Sequence, residues 1–208
     1  MKVLLINGSP NENGCTYTAL CEAAGALERE GIETEIFQMG KQPVRGCIGC
    51  GGCARKGDGR CVFGDDAVNR ALEKAETADG YIIGSPVYFA SANGSLIAML
   101  DRMFYAGKCF SYKPAAAVVS ARRAGTTASI DEIGKYFSIR NMPVVSSKYW
   151  TMVHGNTPEE VRQDLEGMQN MRVLGRNMAW LLKCLEAGKQ AGIAIPEPET
   201  PVKTNFIR

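Results

Sequence analysis

Residues 2–6 read KVLLI, an apolar run with none of the alternation that marks a half-solvated strand. A strand needs apolar side chains at every position only when both of its faces are covered, which is the situation inside a parallel sheet. GYIIGSP at 80–86 and KPAAAVVSA at 113–121 repeat that signature. Helical patterns separate these runs. In TALCEAAGALEREG, residues 18–31, Leu20, Ala23, Ala24 and Leu27 fall at helical spacing and Gly31 supplies the stop. Residues 32–37 (IETEIF) begin with strict alternation, which suits a strand nearer a sheet edge. Asp65 and Asp66 are placed to cap the helix DAVNRALEKAETA. SLIAMLDRMFY and residues 127–138 also read as helical, and MPVVSSKYW at 142–150 reads as a fifth strand. The last helix opens at Thr157-Pro158-Glu159-Glu160, a cap followed by an N1 proline and an acidic first turn. Val161, Leu165, Met168, Met171, Leu174, Met178, Leu181 and Leu185 then recur every three or four residues until Gly188.

Alternating strands and helices give an α/β three-layer sandwich, with helices on both faces of a parallel sheet. Five strands fit the flavodoxin-like order 2-1-3-4-5 in one domain over residues 1–190, interrupted by a cysteine-rich loop at 38–64. A proline-bearing extended tail follows at 191–208. In such sheets ligands bind outside the carboxyl ends of the strands, at the switch in strand order. That rule selects three loops. The first, NGSPNENGCT at 7–16, is rich in hydroxyls, amides and glycine and runs into a helix N-terminus, a setting suited to a phosphate. It is neither G-x-G-x-x-G nor a P-loop, so a lone monophosphate is favoured over a dinucleotide or nucleoside triphosphate. The plainer alternative is a polar turn capped by Thr16. The second, SPVYFASANG at 85–94, offers Tyr88 and Phe89 to flank a planar ring, unless both pack under the following helix. The third, SARRAGT at 120–126, brings Arg122 and Arg123, either anion ligands or solvated charges.

Cys47, Cys50, Cys53 and Cys61, half of the eight cysteines, lie within GCIGCGGCARKGDGRC at 46–61. Three thiols two residues apart can fold round one face of an iron–sulfur cubane, and Gly49, Gly51 and Gly52 let backbone amides approach the sulfurs. Spacing alone leaves a structural zinc, a disulfide or free thiols open. Cys21 and Cys184 fall inside helices and read as small buried apolar residues. His154, the sole histidine, reads as a satisfied loop residue, and the methionines of the last helix read as core or oligomer packing.

The run GSPN…GCT, the cysteine loop, Asp65-Asp66, ADGYIIGSPVYF and LDRMF together resemble the NADPH-dependent FMN reductase family, and within it the iron–sulfur flavoproteins. The resemblance spans about residues 1–190 and implies an FMN-binding oxidoreductase that assembles as a homodimer or homotetramer. It assigns the flavin phosphate to Ser9, Asn11, Cys15, Thr16 and Tyr17, with Cys15 standing where many relatives carry Asn. Pro86, Val87, Tyr88 and Phe89 would line the isoalloxazine, and the loop from Ser120 through Arg122 and Arg123 to Gly125 would close its other edge. A [4Fe-4S] cluster would rest on Cys47, Cys50, Cys53 and Cys61. Electrons would pass from NAD(P)H through FMN, and through such a cluster, to a quinone, flavin or protein acceptor. Two rivals stand beside this reading. One is a flavodoxin-like carrier served by a ferredoxin. The other is a cysteine-dependent metal or redox sensor.

A formal net charge of +2 argues against polyanion binding, hence against a nucleic-acid partner, and mildly against the strongly acidic flavodoxin type of carrier. No apolar stretch approaches a membrane span and the N-terminal run is too short for a signal peptide, so the expectation is a cytoplasmic protein with reduced thiols and no membrane partner.

Overall fold

The structure is a computed structural model that describes residues 1–200, 202 and 204. Strands β1 (Lys2–Asn7) and β3 (Gly80–Tyr88) appear where the apolar runs predict them, and β2 (Glu33–Gln38) where the alternating segment does. A two-residue strand, β4 (Ser91–Ala92), folds back antiparallel on the end of β3, and β5 (Ala115–Ala121) and β6 (Met152–His154) complete the sheet. The order is β2-β1-β3-β5-β6 with every pair along that path parallel, the predicted 2-1-3-4-5 arrangement with one small hairpin added.

Alternate residues of each strand face opposite layers. Val3, Leu5, Ile82, Ala116 and Val118 meet helices α1 (Cys15–Arg29) and α7 (Leu165–Gln190). Leu4, Ile6, Tyr81, Ile83, Ala115 and Ala117 face α3 (Ala67–Glu76), α4 (Gly94–Ala106) and α5 (Thr126–Ile139). This explains why the central runs carry no polar alternation: each side chain enters one core or the other. The methionine stripe of α7 is core, since Met168, Met171 and Met178 are buried with Leu174 and Leu182. Among the described residues, no helix is long and apolar enough to cross a membrane.

Several expectations require correction. The fifth strand is Met152–His154 rather than 142–150. Pro143 has no N–H to give, Val144 makes only an isolated bridge to Ala115, and the chain then leaves the sheet, where the Asn177 amide takes the Ser146 carbonyl at 2.8 Å. The last helix is two helices, α6 (Pro158–Gln163) and α7, broken at Asp164 with φ −73° and ψ 78°. The Asp164 carboxylate accepts from the Gly167 amide at 2.9 Å and the His154 amide at 2.7 Å, so it caps α7 and ties it to β6. Val161 and Met168, buried on either side of the break, keep the apolar period continuous across it, which hides it from a periodicity argument. Helix α7 runs on past Gly188 to Gln190. The cysteine stretch is not devoid of structure, because Gly51 and Gly57 take left-handed conformations on either side of a short helix, α2 (Gly52–Lys56). Cys184 is exposed and Cys21 only half-buried, since both lie off the apolar stripes of their helices. Of the expected tail at 191–208, residues 201, 203 and 205–208 lie outside the described residues.

Candidate functional site

All the strands of the main path run the same way, so β1, β3, β5 and β6 deliver their carboxyl ends to one edge of the sheet. The loop after β1 is folded by Asn7, which is fully buried. Its side-chain amide donates to Gln38 Oε1 at 2.5 Å and to the carbonyls of Asn11 and Glu12 at 3.4 and 3.3 Å, while its Oδ1 accepts from the Ser9 amide at 3.1 Å. Gln38 Nε2 closes the set by donating to the Ser9 carbonyl at 2.8 Å. Ser9 Oγ in turn accepts from the Asn11 amide at 3.1 Å. The loop is thus a rigid turn that delivers the chain to the start of α1.

That start is uncapped. Gly14 is the N-cap residue and contributes no side chain, and Thr18 is the first amide with a carbonyl acceptor, Gly14 O at 3.0 Å. Among the described residues, the amides of Cys15, Thr16 and Tyr17 have no protein partner, which leaves a helix N-terminus with its donors and dipole unspent. Thr16, expected as a possible cap, does something else: its Oγ1 lies 2.8 Å from Ser120 Oγ and joins the first loop to the third. Cys15 Sγ lies 3.7 Å from the Gly155 carbonyl, and burial pushes its thiol above the ordinary cysteine value. Ser9, Thr16 and Ser120 are buried, Cys15 and Tyr17 half-buried, and Asn11 exposed.

The second loop is held just as firmly. Ser85 Oγ donates to the Pro86 carbonyl at 2.8 Å and accepts from the Asn93 amide at 2.9 Å. Asn93 donates to the Gly8 carbonyl at 2.7 Å and caps α4 by accepting from the Ser95 amide at 3.1 Å. Between them Val87 pairs with Ala92 and Tyr88 with Ser91, leaving Phe89 and Ala90 as the two-residue tip. Both tip residues have positive φ, 51° and 61°, as a type I′ turn demands but neither side chain favours. Glu132 on α5 fixes this strained hairpin, accepting from Ser91 Oγ at 2.6 Å and the Ala92 amide at 3.0 Å. Tyr88 and Phe89 do not pack under a helix: both are exposed, Phe89 completely.

The third loop presents Arg122 and Arg123 to solvent. The Arg123 carbonyl accepts from His154 Nε2 at 3.2 Å, so the histidine serves the loop as expected. Gly125 starts α5 at φ 94°, so close to the hairpin that a Cβ on it would lie 2.4 Å from Ala90 Cα. Ser9, Cys15, Thr16 and Ser120 therefore gather round the head of α1, and Val87 and Gly125 meet at the hairpin. Arg122, Arg123 and Asn11 lie on the outer surface.

Cys47, Cys50, Cys53 and Cys61 line a single concavity together with Phe63, Arg102 and Tyr105. Cys47 and Cys50 are exposed, Cys53 rides on α2, and Cys61 is half-buried. Among the described residues no three His, Cys, Asp or Glu side chains are grouped so as to hold a single metal ion. Glycines with positive φ at 49 and 51 turn the chain between the thiols. Asn69 of α3 brackets Cys61, donating to its carbonyl at 2.8 Å and accepting from its amide at 2.9 Å. Arg102 of α4, 2% exposed, donates to Cys61 Sγ at 3.3 Å.

Sequence reasoning missed Asn7, Asn93, Glu132, Asn69 and Arg102. Asn93 carried a signal, an N-cap residue just before an apolar helix. So did Arg102, a charge on the buried stripe of Met99 and Met103.

Comparison with known proteins matches residues 1–157 to a family described as NADPH-dependent FMN reductase. The chain is 35% identical to an iron-sulfur flavoprotein of Methanocaldococcus jannaschii over 195 residues, covering 89% of this chain and 100% of the relative. Its fold is similar to that of an NAD(P)H:quinone oxidoreductase from Methanothermobacter marburgensis, with TM-score 0.61, 17% identity and 86% and 96% of the two chains covered. An archaeal flavodoxin aligns with TM-score 0.59 and 14% identity over 88% of this chain and 99% of its own.

Proposed function

The chain belongs to the NADPH-dependent FMN reductase family, and from that premise we propose that this FMN-dependent oxidoreductase takes electrons from NAD(P)H and passes them, through an iron–sulfur cluster, to a quinone, flavin or protein acceptor. When bound, FMN supplies two-electron exchange with a nicotinamide and a [4Fe-4S] cluster supplies single-electron transfer. The observation that carries the reading is the head of α1. Three unpartnered amides at a helix N-terminus, beside the hydroxyls of Thr16 and Ser120, form a receptor for a monophosphate dianion at the switch in strand order.

From there the residues divide the work. The amides of Cys15, Thr16 and Tyr17 would hold the phosphate, with Ser9 and Asn11 shaping the turn. Pro86 and Val87 offer the edge of the isoalloxazine a backbone that cannot shift, because Ser85, Asn93 and Glu132 anchor the hairpin from three sides. Tyr88 and Phe89, exposed on the hairpin, would offer the bound ring apolar walls. The exposed guanidinium groups of Arg122 and Arg123 favour added negative charge near the ring and draw in an anionic donor. His154 keeps the Arg loop in place and moves no proton in this reading. Cys47, Cys50, Cys53 and Cys61 would hold the cluster. The support for this assignment is that all four thiols line one concavity and that their spacing resembles that of the iron–sulfur flavoproteins. The proposal includes a homodimer or homotetramer, for which the exposed Phe89, Tyr105, Ile139, Trp150 and Trp180 offer apolar contact surface.

The test is the visible spectrum of protein purified without oxygen, followed by steady-state NADH and NADPH oxidation with quinone or ferricyanide. Flavin bands with broad brown absorbance that bleaches on addition of NAD(P)H are expected. Protein that stays colourless after incubation with FMN would refute the proposal. Flavin reduced by ferredoxin but never by nicotinamide would turn it into a carrier.

A further inference from the structure

Among the described residues, the largest fully buried side chain is a charged one. Arg102 sits in the middle of α4, between Met99 and Met103 on the core face. Taking a guanidinium out of water is costly unless its donors are matched, and here four of its five N–H groups are. Nη1 pairs with the Asp66 carboxylate and donates to the Arg45 carbonyl at 3.2 Å, Nη2 donates to the Phe63 carbonyl at 2.7 Å, and Nε donates to Cys61 Sγ at 3.3 Å. The Phe63 ring stacks close to the Arg45 guanidinium, 4.5 Å from the ring centre. Every partner except Asp66 lies in the cysteine stretch or its flanks, and Asp66 caps the helix that follows it. One side chain thus joins the two ends of the cysteine loop and touches one of its four sulfurs. A mere space-filling or fold-holding role needs no donor aimed at a thiol.

We infer that Arg102 is the positioning residue of the cysteine site: it fixes Cys61 as the preset ligand, and its charge and N–H···S hydrogen bond raise the reduction potential of the cluster held there. This rests on the reading that the four cysteines bind a [4Fe-4S] cluster. Cys61 is anchored on two sides, its backbone by Asn69 and its sulfur by Arg102, whereas Cys47 and Cys50 stand in solvent on a glycine-rich loop. The site is therefore assembled in order, with the solvent-exposed thiols joining an anchored one. Adding an electron makes a cluster more negative, so a cation and a donor at one ligating sulfur favour the reduced state. Asp66 offsets part of that charge.

The experiment compares wild type with Asp66→Asn and with the double variant Asp66→Asn/Arg102→Met, which removes the buried pair as a unit rather than leaving one charge unpaired. Asn keeps the helix cap. In cluster-free protein, alkylation followed by peptide mass analysis should label Cys47 and Cys50 fast and Cys61 slowly. The double variant should raise the Cys61 rate at least tenfold and leave Cys47 and Cys50 unchanged. In reconstituted protein, a mediated redox titration followed by electron paramagnetic resonance should show the midpoint shifted down in the double variant and up in Asp66→Asn. Opposite signs from one site are not produced by loosened packing. An unchanged Cys61 rate, or loaded clusters with unchanged midpoints, overturns the inference. If the double variant does not fold, the sign for Asp66→Asn decides. Wild type that takes up no iron or acid-labile sulfide defeats the cluster reading instead, and the alkylation rates still judge the preset role of Arg102.

Discussion

Replacing Gly125 by Ala tests whether the hairpin and the head of α5 form one rigid wall of the flavin site. Two costs add. At φ 94° an L side chain pays the left-handed penalty, about 1–2 kcal/mol. The new Cβ would also stand 2.4 Å from Ala90 Cα and 2.8 Å from Val87 Cγ1, and the nearer of these is backbone that cannot rotate away. Relief requires pushing the hairpin from α5, an overpacking of about 1–3 kcal/mol. The sum, about 2–5 kcal/mol, is below the total stability of a domain this size, so Gly125→Ala should fold but melt about 4–20 °C lower. Because FMN needs the hairpin in its original place, the displacement is charged again on binding, and the FMN dissociation constant should rise about tenfold or more. Gly134 provides the internal control in the same helix. Nothing lies within 4 Å of a Cβ there, and its φ is not positive. Gly134→Ala should gain about 0.5–1 kcal/mol of helix propensity and bind FMN unchanged. Calorimetry and quenching of FMN fluorescence give both numbers. A Gly125→Ala protein that melts with the wild type, or binds FMN as tightly, would refute the reasoning.

Glu132→Ala removes the one carboxylate oxygen that accepts both bonds restraining the positive-φ tip, and hydrogen bonds to a carboxylate are worth about 1.5–3 kcal/mol, so FMN affinity should fall about tenfold while Glu132→Gln, whose carbonyl still accepts, retains most of it. Cys47→Ser/Cys50→Ser should abolish bound iron, measured by elemental analysis, and leave flavin content intact, since neither residue belongs to the three flavin loops at 7–16, 85–94 and 120–126. Lys2, with Lys74, holds the Glu35 carboxyl below its ordinary value of 4.5. A depressed carboxylate stabilises the fold above its unfolded value and loses that contribution as pH falls through its folded value. Urea titrations should therefore find Glu35→Gln weaker by about 0.2–1 kcal/mol at pH 7 and equal to wild type in strong acid.

The central strands were legible because a doubly covered strand must be apolar throughout, and Asp66 and Thr157 announced their helices because a cap is a local bond. The fifth strand was not. Met152–His154 is a three-residue edge whose polar neighbours resemble any loop, while Pro143-Val144-Val145 has the right composition and the wrong hydrogen-bonding capacity. The break at Asp164 escaped for a related reason, since a kink that preserves the buried stripe leaves the period untouched. In the candidate site, spacing named the thiols and loop position named Ser9, Thr16 and Ser120. The groups that fix them in place lie far away in sequence. Glu132 reaches back 41 residues to Ser91, and Arg102 the same distance to Cys61, so their roles exist only once the sheet has brought the helices together.

The knot made by Arg102 bears on how such a site is gained or lost. Residues 46–61 are no portable cassette: a graft of that stretch into another scaffold would carry the thiols and leave behind Asn69, Asp66 and the guanidinium that orient them. Loss is equally constrained. A descendant that discarded its cysteines would inherit a cation in its interior with one counter-charge and a missing acceptor, so the arginine and the sulfur it faces should be exchanged together or not at all.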